Sequence, residues 1–298
     1  MTVDISICMV SYNTCGLLRD CLQALYGQPA ACSFEVILAD NGSSDGTLPM
    51  LAADFPQVRV IQNSTNAGYT APMNQALQAA TGRYLMQLNP DTLPLPGLLD
   101  SLLAFMEAHP AAGICTPKVL NRDGSLQKQC RRSAAGPWDA FTYASGLSRL
   151  FPRSRAFGGY LLTWLPEDET SPVEAVSGSC MFIRRAVVQQ IGWLDEAFFA
   201  YQEDADFCFR ARAAGWQIVY HPAVRIIHYG GQGGSRGQPY RGIYHWHRSY
   251  YLYYRKHMAG RHFFLVNWAV YAAIGLKLGL SLLVNALRGE KIVGSKKP

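Results

Sequence analysis

Residues 83–92 read Arg83-Tyr84-Leu85-Met86-Gln87-Leu88-Asn89-Pro90-Asp91-Thr92, an apolar run that stops at a proline and delivers a carboxylate just beyond it. The run over 83–88 has the length and composition of a buried strand, and Pro90, with no N–H for a ladder, cannot continue it. Asn, Pro and Asp are also ordinary turn residues, so taken alone the segment fits a plain type I turn. Its setting gives Asp91 chemical meaning. A carboxylate at the C-terminal edge of a sheet, on a turn stiffened by proline, is placed to hold a hard divalent cation against a diphosphate.

Working outward, strand patterns over residues 5–12, 34–39 and 58–62 alternate with helix patterns over 16–26, 48–54 and 72–80, the last with proline in its first turn. This is a βαβ series. It predicts an α/β fold with a mostly parallel central sheet, helices on both faces and functional groups at the strands' C-terminal ends. Two of those ends deliver polar loops, Asp40-Asn41-Gly42-Ser43-Ser44-Asp45-Gly46-Thr47 and Asn63-Ser64-Thr65-Asn66-Ala67-Gly68-Tyr69, which should open on the same edge as Asp91. A carboxylate ending a parallel strand, as Asp40 does, suits a base imide or a ribose hydroxyl. Ser43, Ser44 and Asp45 also have the chemistry of helix caps.

Beyond Asp91 the pattern gives a helix over 95–107, a strand near Ile114 and a Gly-containing hairpin around Asn121-Arg122-Asp123-Gly124. Residues 131–174 carry scattered Pro, Gly, Arg and aromatics without a readable period. Pattern returns with a strand over 176–184, helices over 185–191 and 204–214, and strands over 216–220 and 224–228. Gln202-Glu203-Asp204-Ala205-Asp206 opens the second of these helices, where unpaired N–H groups favour negative charge. One acid there needs no further explanation; three do. Asp206 has Arg210 four residues on and is assigned to stability. Asp204 lies about 200° away from it around the helix, and is the candidate base, with Glu203 behind it. His228 ends the last strand beside a glycine-rich run, 230–237, that lacks the spacing of a P-loop or a dinucleotide turn; a metal or diphosphate ligand and a plain structural histidine are both open at that position.

Taken together these segments resemble glycosyltransferase family 2, the inverting enzymes with the GT-A fold, and in particular its rhamnosyltransferase-like bacterial branch. The resemblance spans most of residues 5–235. It rests on Val10-Ser11-Tyr12-Asn13, the 40–47 loop, Asn66-Ala67-Gly68-Tyr69 with Asn74, Leu88-Asn89-Pro90-Asp91-Thr92, Val176-Ser177-Gly178-Ser179, Gly192-Trp193-Leu194-Asp195-Glu196 with Phe198-Phe199, Glu203-Asp204 and His228. It implies a domain over 1–237, with a nucleotide-binding half to about residue 92 and an acceptor half after it, and a separate C-terminal region over 238–298. It further implies that Ser11, Tyr12, Asn13, Asp40, Asn41, Asp45, Asn66, Gly68, Asn74, Asn89 and Gly178 meet the nucleotide-sugar donor. Asn89-Pro90-Asp91 stands at the DxD position, with Asp91 and His228 holding Mg²⁺ or Mn²⁺, and Asn89 in place of the first acid. Trp193 and Arg131 are assigned to the acceptor. The implied reaction is a single displacement with inversion, Asp204 taking the acceptor proton with Glu203 beside it. Rhamnose from a deoxythymidine-diphosphate donor is what the branch implies.

Composition sets the surroundings. Of 298 residues 49% are hydrophobic and 16% charged, which excludes a disordered chain and leaves a surface not wholly given to water. Residues 1–120 hold four Lys/Arg against nine Asp/Glu, and the rest 23 against 12, so an acidic N-terminal part precedes a basic C-terminal one. Long basic tracts are absent, which argues against nucleic acid and for anionic lipid or a phosphorylated substrate. Eight cysteines without CxxC spacing, and no signal peptide pattern, point to a reducing cytoplasmic setting. Residues 263–287 are apolar except for Asn267, Lys277, Ser281 and Asn285, which fall in one helical arc. Such a stripe suits a helix in the bilayer interface or packed on another helix; Gly275 and Gly279 have small-xxx-small spacing. Flanking Arg261, Arg288, Lys291, Lys296 and Lys297 favour anionic headgroups. The expectation is a peripheral protein on the inner face of the plasma membrane, acting on a lipid-linked glycan. The competing readings are a nucleotidyltransferase-like or catalytically silent nucleotide-sugar-binding protein on the same sheet, and a membrane-bound interaction protein.

Overall fold

The computed structural model describes residues 3–230 and 238–287. The chain opens as the alternation predicts, with β1 (Ile5–Ser11), α1 (Cys15–Tyr26), β2 (Phe34–Asp40), α2 (Thr47–Asp54), β3 (Arg59–Gln62), α3 (Thr70–Ala79) and β4 (Tyr84–Leu88). Then come β5 (Thr92–Pro94), α4 (Leu98–Ala108), β6 (Ala112–Leu120), β7 (Arg131–Arg132), α5 (Pro137–Ala144), α6 (Leu147–Leu150), β8 (Ser171–Val173), β9 (Ala175–Val176) and β10 (Cys180–Arg184). The remainder is α7 (Arg185–Ile191), α8 (Glu203–Ala213), β11 (Gln217–His228), α9 (Pro239–His257) and α10 (Phe264–Leu287).

The main sheet runs β3-β2-β1-β4-β10-β6-β11-β5, with β8 added on β11. Strands β1, β2, β3 and β4 are mutually parallel, β6 and β11 run the same way, and β10, β5 and β8 run against them. The sheet is therefore mostly parallel. Its central strands are apolar on both faces because helices cover both: β1 and β4 are buried at every residue, and α1 and α3 bury Leu18, Leu22, Met73 and Leu77 against them. The strands expected over 216–220 and 224–228 form one element, β11, whose register on β6 shifts between His221 and Arg225. Pro222 explains the merger, since a bulge lets a strand pass a residue that has no N–H to pair.

The C-terminal helices form a hairpin on this body. Helix α9 is anchored by Ser249 Oγ to the Ala200 carbonyl and Tyr253 Oη to the Ala134 carbonyl. Helix α10 lies antiparallel along it, with Asn267 Oδ1 accepting from Tyr254 Oη at 2.7 Å and Lys277 Nζ 4.5 Å from the Trp246 ring centre. The polar arc seen in the sequence thus faces α9. The opposite face of α10 exposes Phe264, Leu265, Trp268, Leu276, Leu280, Leu283 and Leu287. Residues 264–287 are long and apolar enough to cross a membrane, and little of that length is buried. The glycine-rich run after Gly230 and the basic residues from Arg288 onward lie outside the described residues.

Candidate active site

Strands β1, β2 and β3 end level with one another at Ser11, Asp40 and Gln62. Asp40 is fully buried at that edge. Its Oδ2 accepts from the N–H groups of Gly42 (3.1 Å) and Ser43 (2.9 Å), while Oδ1 is buried with no protein partner. Leaving such an oxygen unsatisfied is costly, and a ligand N–H or hydroxyl removes the cost. The neighbouring loops are laced together around it. Asn13, left-handed at φ 54°, accepts from Ser44 N–H and donates its own N–H to Ser43 Oγ. The Asn41 amide donates to the Gly68 carbonyl, and Asn66 Oδ1 accepts from Gly68 N–H. Gly68 sits at φ +93° with its α-carbon against the Phe199 carbonyl, leaving no room for a Cβ. Ser11 Oγ pairs with Thr14 Oγ1 at 2.9 Å, with Tyr12 half-buried between them in sequence.

Two residues expected at the donor are engaged within the fold. Asp45 Oδ2 accepts from Cys15 N–H at the start of α1, and Oδ1 from the Thr47 N–H and hydroxyl at the start of α2. Burial works to raise its pKa, but the Thr47 hydroxyl and these N–H groups outweigh burial and hold it below the usual carboxylate range. Asn74 donates to the Leu194 carbonyl and Glu196, and accepts from Leu194 N–H, clamping α3 to the 192–196 loop.

Register brings the next pair together. His228 lies opposite Thr92 in the β11–β5 ladder, so its imidazole falls beside Asp91, with Nε2 3.2 Å from Oδ1. The hairpin after β6 decides which nitrogen faces the carboxylate. Gln127 Nε2 lies 3.4 Å from the His228 carbonyl and 3.3 Å from Asn121 Oδ1, both acceptors, which turns Gln127 Oε1 toward His228 Nδ1 at 2.7 Å. Asn121 spends its own NH₂ on Ser125 Oγ and the Leu126 carbonyl, so the relay has one direction. Nδ1 therefore carries a proton, and Nε2 is the nitrogen that faces Asp91, with Asn89 Nδ2 3.3 Å from it. An imidazole held through Nδ1 and a carboxylate beside its Nε2 are ligand types that fit a divalent cation. Among the described residues no group of three or more His, Cys, Asp or Glu is arranged to hold an ion. A hard cation here would complete its shell with phosphate oxygens and water, as Mg²⁺ commonly does.

The antiparallel insertion of β10 beside β4 adds the acidic helix. Cys180 pairs with Leu88, so the residues before Cys180 run past the end of β4, where Asn89 N–H donates to the Ser179 carbonyl at 3.0 Å. Gly178 comes next, and its N–H donates to Asp204 Oδ2 at 3.0 Å. A Cβ built on Gly178 would stand 3.6 Å from Gln87 Oε1 and 3.7 Å from both Tyr69 Oη and Asp204 Cβ, so these three side chains converge on it. Asp204 is buried, not turned into bulk solvent.

Asp204 and Glu203 have opposite surroundings. Arg132 Nη2 is 2.7 Å from Asp204 Oδ2 in a nearly buried ion pair, and Ala205 N–H donates to Oδ1. Burial opposes the charge on Arg132, and the Asp204 carboxylate outweighs burial and keeps the guanidinium protonated. Glu203 Oε2 is buried without a partner; burial first, and the Asp204 charge second, push its carboxyl up to about 8. Both stand on the first turn of α8, entered through Tyr201 (φ 68°) and Gln202 (φ 64°), a strained approach of the kind stored at functional sites. Asp206 turns the other way, toward Arg210 (2.8 Å), Lys256 (2.7 Å) and His257 (2.7 Å). Burial raises its pKa, and hydrogen bonds from His257 and Lys256 with the Arg210 charge bring it down to about 2.

The residues assigned to the acceptor lie differently. Arg131 is buried, donating to the carbonyls of Pro166 (2.6 Å) and Leu165 (2.8 Å) with its guanidinium over the Tyr220 ring, so it pins the 131–174 segment from inside. Trp193 packs half-buried against the core, its carbonyl accepting from Arg210. Sequence reasoning gave no role to Arg132, Tyr69, Gln87 or Gln127. Gln87 carried a signal, a lone amide inside an apolar strand; both its polar atoms are buried without partners in this cleft. Arg132, in a stretch without period, carried none.

The glycosyl transferase family 2 model matches residues 6–192, and the chain belongs to that family. The N-acetylglucosaminyl-diphospho-decaprenol L-rhamnosyltransferase of Mycobacterium tuberculosis is 29% identical over 271 residues, covering 86% of each chain. The low-salt glycan biosynthesis hexosyltransferase Agl10 of Haloferax volcanii is 26% identical over 76% of this chain and 68% of its own. Among solved structures, the Pyrobaculum calidifontis mannosyltransferase in complex with GDP-Man and Mn²⁺ superposes with a TM-score of 0.57 at 17% identity, covering 86% of this chain and 65% of that one. Staphylococcus aureus TarS superposes with a TM-score of 0.56 at 17% identity, covering 84% of this chain and 64% of that one. The fold is GT-A, and the protein is a family 2 glycosyltransferase.

Proposed function

We propose that this enzyme transfers a sugar, rhamnose from a deoxythymidine-diphosphate donor, with inversion, to a hydroxyl of a lipid-linked glycan in cell-surface polysaccharide assembly. The observation that carries the reading is the meeting at Gly178: its N–H holds Asp204 while its neighbour Ser179 pairs with Asn89 at the head of the Asn89-Pro90-Asp91 turn. This supports reading Asp204 as the carboxylate on the acceptor side of the cleft, opposite a side that receives the nucleotide diphosphate. Asp40 receives the base or ribose through its bare Oδ1, with Asn13, Asn41, Asn66 and Gly68 shaping the loops around it. Asp91 and His228 are the residues that would hold a divalent metal, which when bound neutralises the leaving diphosphate. Asp204 takes the acceptor proton as the hydroxyl attacks, and the 2.7 Å ion pair to Arg132 holds the carboxylate in place. A second assignment is favoured by one observation: Glu203 has an unpartnered oxygen and a raised pKa, the properties of a base working near neutral pH.

The rhamnosyl donor and lipid-linked acceptor follow the mycobacterial relative, whose name gives both the sugar and a diphospho-decaprenol acceptor. The outward apolar face of α10 supports docking on the inner face of the plasma membrane, where such an acceptor diffuses in two dimensions. The test is to incubate purified full-length protein with a panel of nucleotide-diphosphate sugars, a divalent metal and a prenyl-diphosphate glycan. Transfer from deoxythymidine-diphosphate rhamnose above all other donors is expected; transfer only from another donor would overturn the sugar assignment.

A further inference from the structure

The segment over 131–174 turns several of its apolar and aromatic residues outward. Trp138 is 54% exposed, Phe141 55%, Phe151 51% and Leu150 72%. They form one surface: the Trp138 ring lies 5.7 Å from Phe141 and 6.2 Å from Phe157, and Phe157 lies 5.3 Å from Phe151. Trp138 is fixed there by its indole N–H, which donates to the Ala156 carbonyl at 2.7 Å. Soluble monomers rarely leave so continuous an aromatic patch in water without a use for it.

Charge says what the patch meets. Between Pro137 and Trp164 the charged residues are Arg149, Arg153 and Arg155, all exposed, against Asp139 alone. Asp139 is turned inward, accepting from Ser133 Oγ at 2.7 Å. An apolar centre rimmed by guanidinium groups is complementary to an anionic bilayer, which takes the rings below its headgroups and the cations among its phosphates.

Position says the same. From α5 a chain of packed contacts leads to α10: Tyr143 against Tyr160 (5.0 Å), Tyr160 Oη to Tyr250 Oη (3.0 Å), Tyr250 against Trp246 (4.4 Å) and Lys277 over Trp246 (4.5 Å). These contacts tie α5 to α10 through the body, so the two carry their exposed apolar residues on connected elements. Along them the Tyr160 carbonyl accepts from Ser133 N–H, one residue from the Arg132 that holds Asp204.

We propose that α5 and α6 form a second membrane-contacting element, which inserts Trp138, Phe141, Leu150 and Phe151 into an anionic bilayer beside α10. This rests on the reading of α10 as membrane-associating and adds to it a second point of attachment. Two attachments fix the tilt of the protein, and with it the height of Arg132 and Asp204 above the lipid, where one helix would leave the body free to rock.

The test uses the full chain and vesicles of phosphatidylcholine with or without phosphatidylglycerol. The W138S/F141S/F151S variant should partition onto anionic vesicles about tenfold more weakly than the parent, and R149Q/R153Q/R155Q should lose most of the response to phosphatidylglycerol. Quenching of tryptophan fluorescence by acyl-chain-brominated lipid should fall in W138F. A parallel L276S/L280S/L283S variant separates the two readings. If it alone loses binding, the α5–α6 proposal fails and the α10 reading stands. If only the α5–α6 variants lose binding, the α10 reading fails, and the two-point attachment that rests on it fails with it. Undiminished quenching in W138F together with wild-type partitioning of the serine variant would overturn the proposal. So would a change confined to self-association in the absence of lipid, which would make the patch a protein interface.

Discussion

The proposed donor side and the proposed acceptor side of the cleft are held by different means. On the donor side Asp40, Asp91 and His228 stand where strands end, and ladders of backbone hydrogen bonds fix them: Asp40 level with Ser11 and Gln62, His228 opposite Thr92. On the acceptor side Asp204 stands on a helix reached through two left-handed residues, and one buried ion pair to Arg132 holds its carboxylate. A ladder spreads its load over many modest bonds; a buried pair concentrates it in one. Breaking the pair should therefore disable the acceptor side and leave the donor side standing.

The largest effect should come from Arg132→Met, which leaves Asp204 buried without its cation. A loss of about 3–5 kcal/mol is expected by thermal or urea denaturation, and R132M/D204L should recover most of it. Donor binding by calorimetry should stay near wild type at temperatures where R132M is folded. A wild-type melting temperature would mean that the ion pair does not hold that side.

The donor side should respond to a smaller, local change. In Gln127→Leu, His228 loses the acceptor that keeps the proton on Nδ1, and Mn²⁺ affinity read by electron paramagnetic resonance should fall about 10- to 100-fold. Side-chain ¹⁵N shifts of His228 should show mixed tautomers while the melting temperature barely moves. An unchanged Mn²⁺ affinity would remove Gln127 from the site.

Asp206 and Glu203 sharpen the contrast within one helix. The Asp206 pKa is lowered to about 2, so its contribution is present above the unfolded value near 3.8 and is lost as pH falls through about 2. Asp206→Asn should cost about 2 kcal/mol at neutral pH, and little once both carboxyls are protonated. Glu203 has the opposite sign. Its folded pKa is raised to about 8, so stability is full below 4.5 and declines as pH rises from there to about 8. Glu203→Gln should match the parent in acid and exceed it at pH 8 by a small margin in melting temperature. A deficit at pH 8 would mean that ionised Glu203 has a cation partner.

The same division explains what was legible in the sequence. The parallel strands, the hairpin at Asn121 and the loops at Asp40 and Asp91 were readable because alternation, Pro90 and Gly-containing turns act locally. The separate surroundings of Asp204 and Asp206 followed from helical angle, and the polar arc of α10 from the same arithmetic. Arg132 was not readable: its partner is 72 residues away and lies across a segment without period. Arg131 and Arg132 look alike as a dipeptide, yet one serves carbonyls and a ring inside the fold and the other serves the acid of the cleft. Only the alternation of a two-residue strand separates them. Asn74 and Asp45 are engaged within the fold, and sequence does not separate a clamp between loops from a contact to a ligand, since both draw on the same polar residues.

The central claim, that Asp204 serves the acceptor proton on a site whose donor half is independent, is tested most directly by Asp204→Asn. Donor affinity by calorimetry and transfer by rapid quench should be measured on the same preparation, with Glu203→Gln beside it. Unchanged donor affinity with transfer reduced on the order of 10²- to 10⁴-fold is expected for D204N. Wild-type transfer in D204N, with the loss appearing in E203Q instead, would contradict the account and give the base to Glu203.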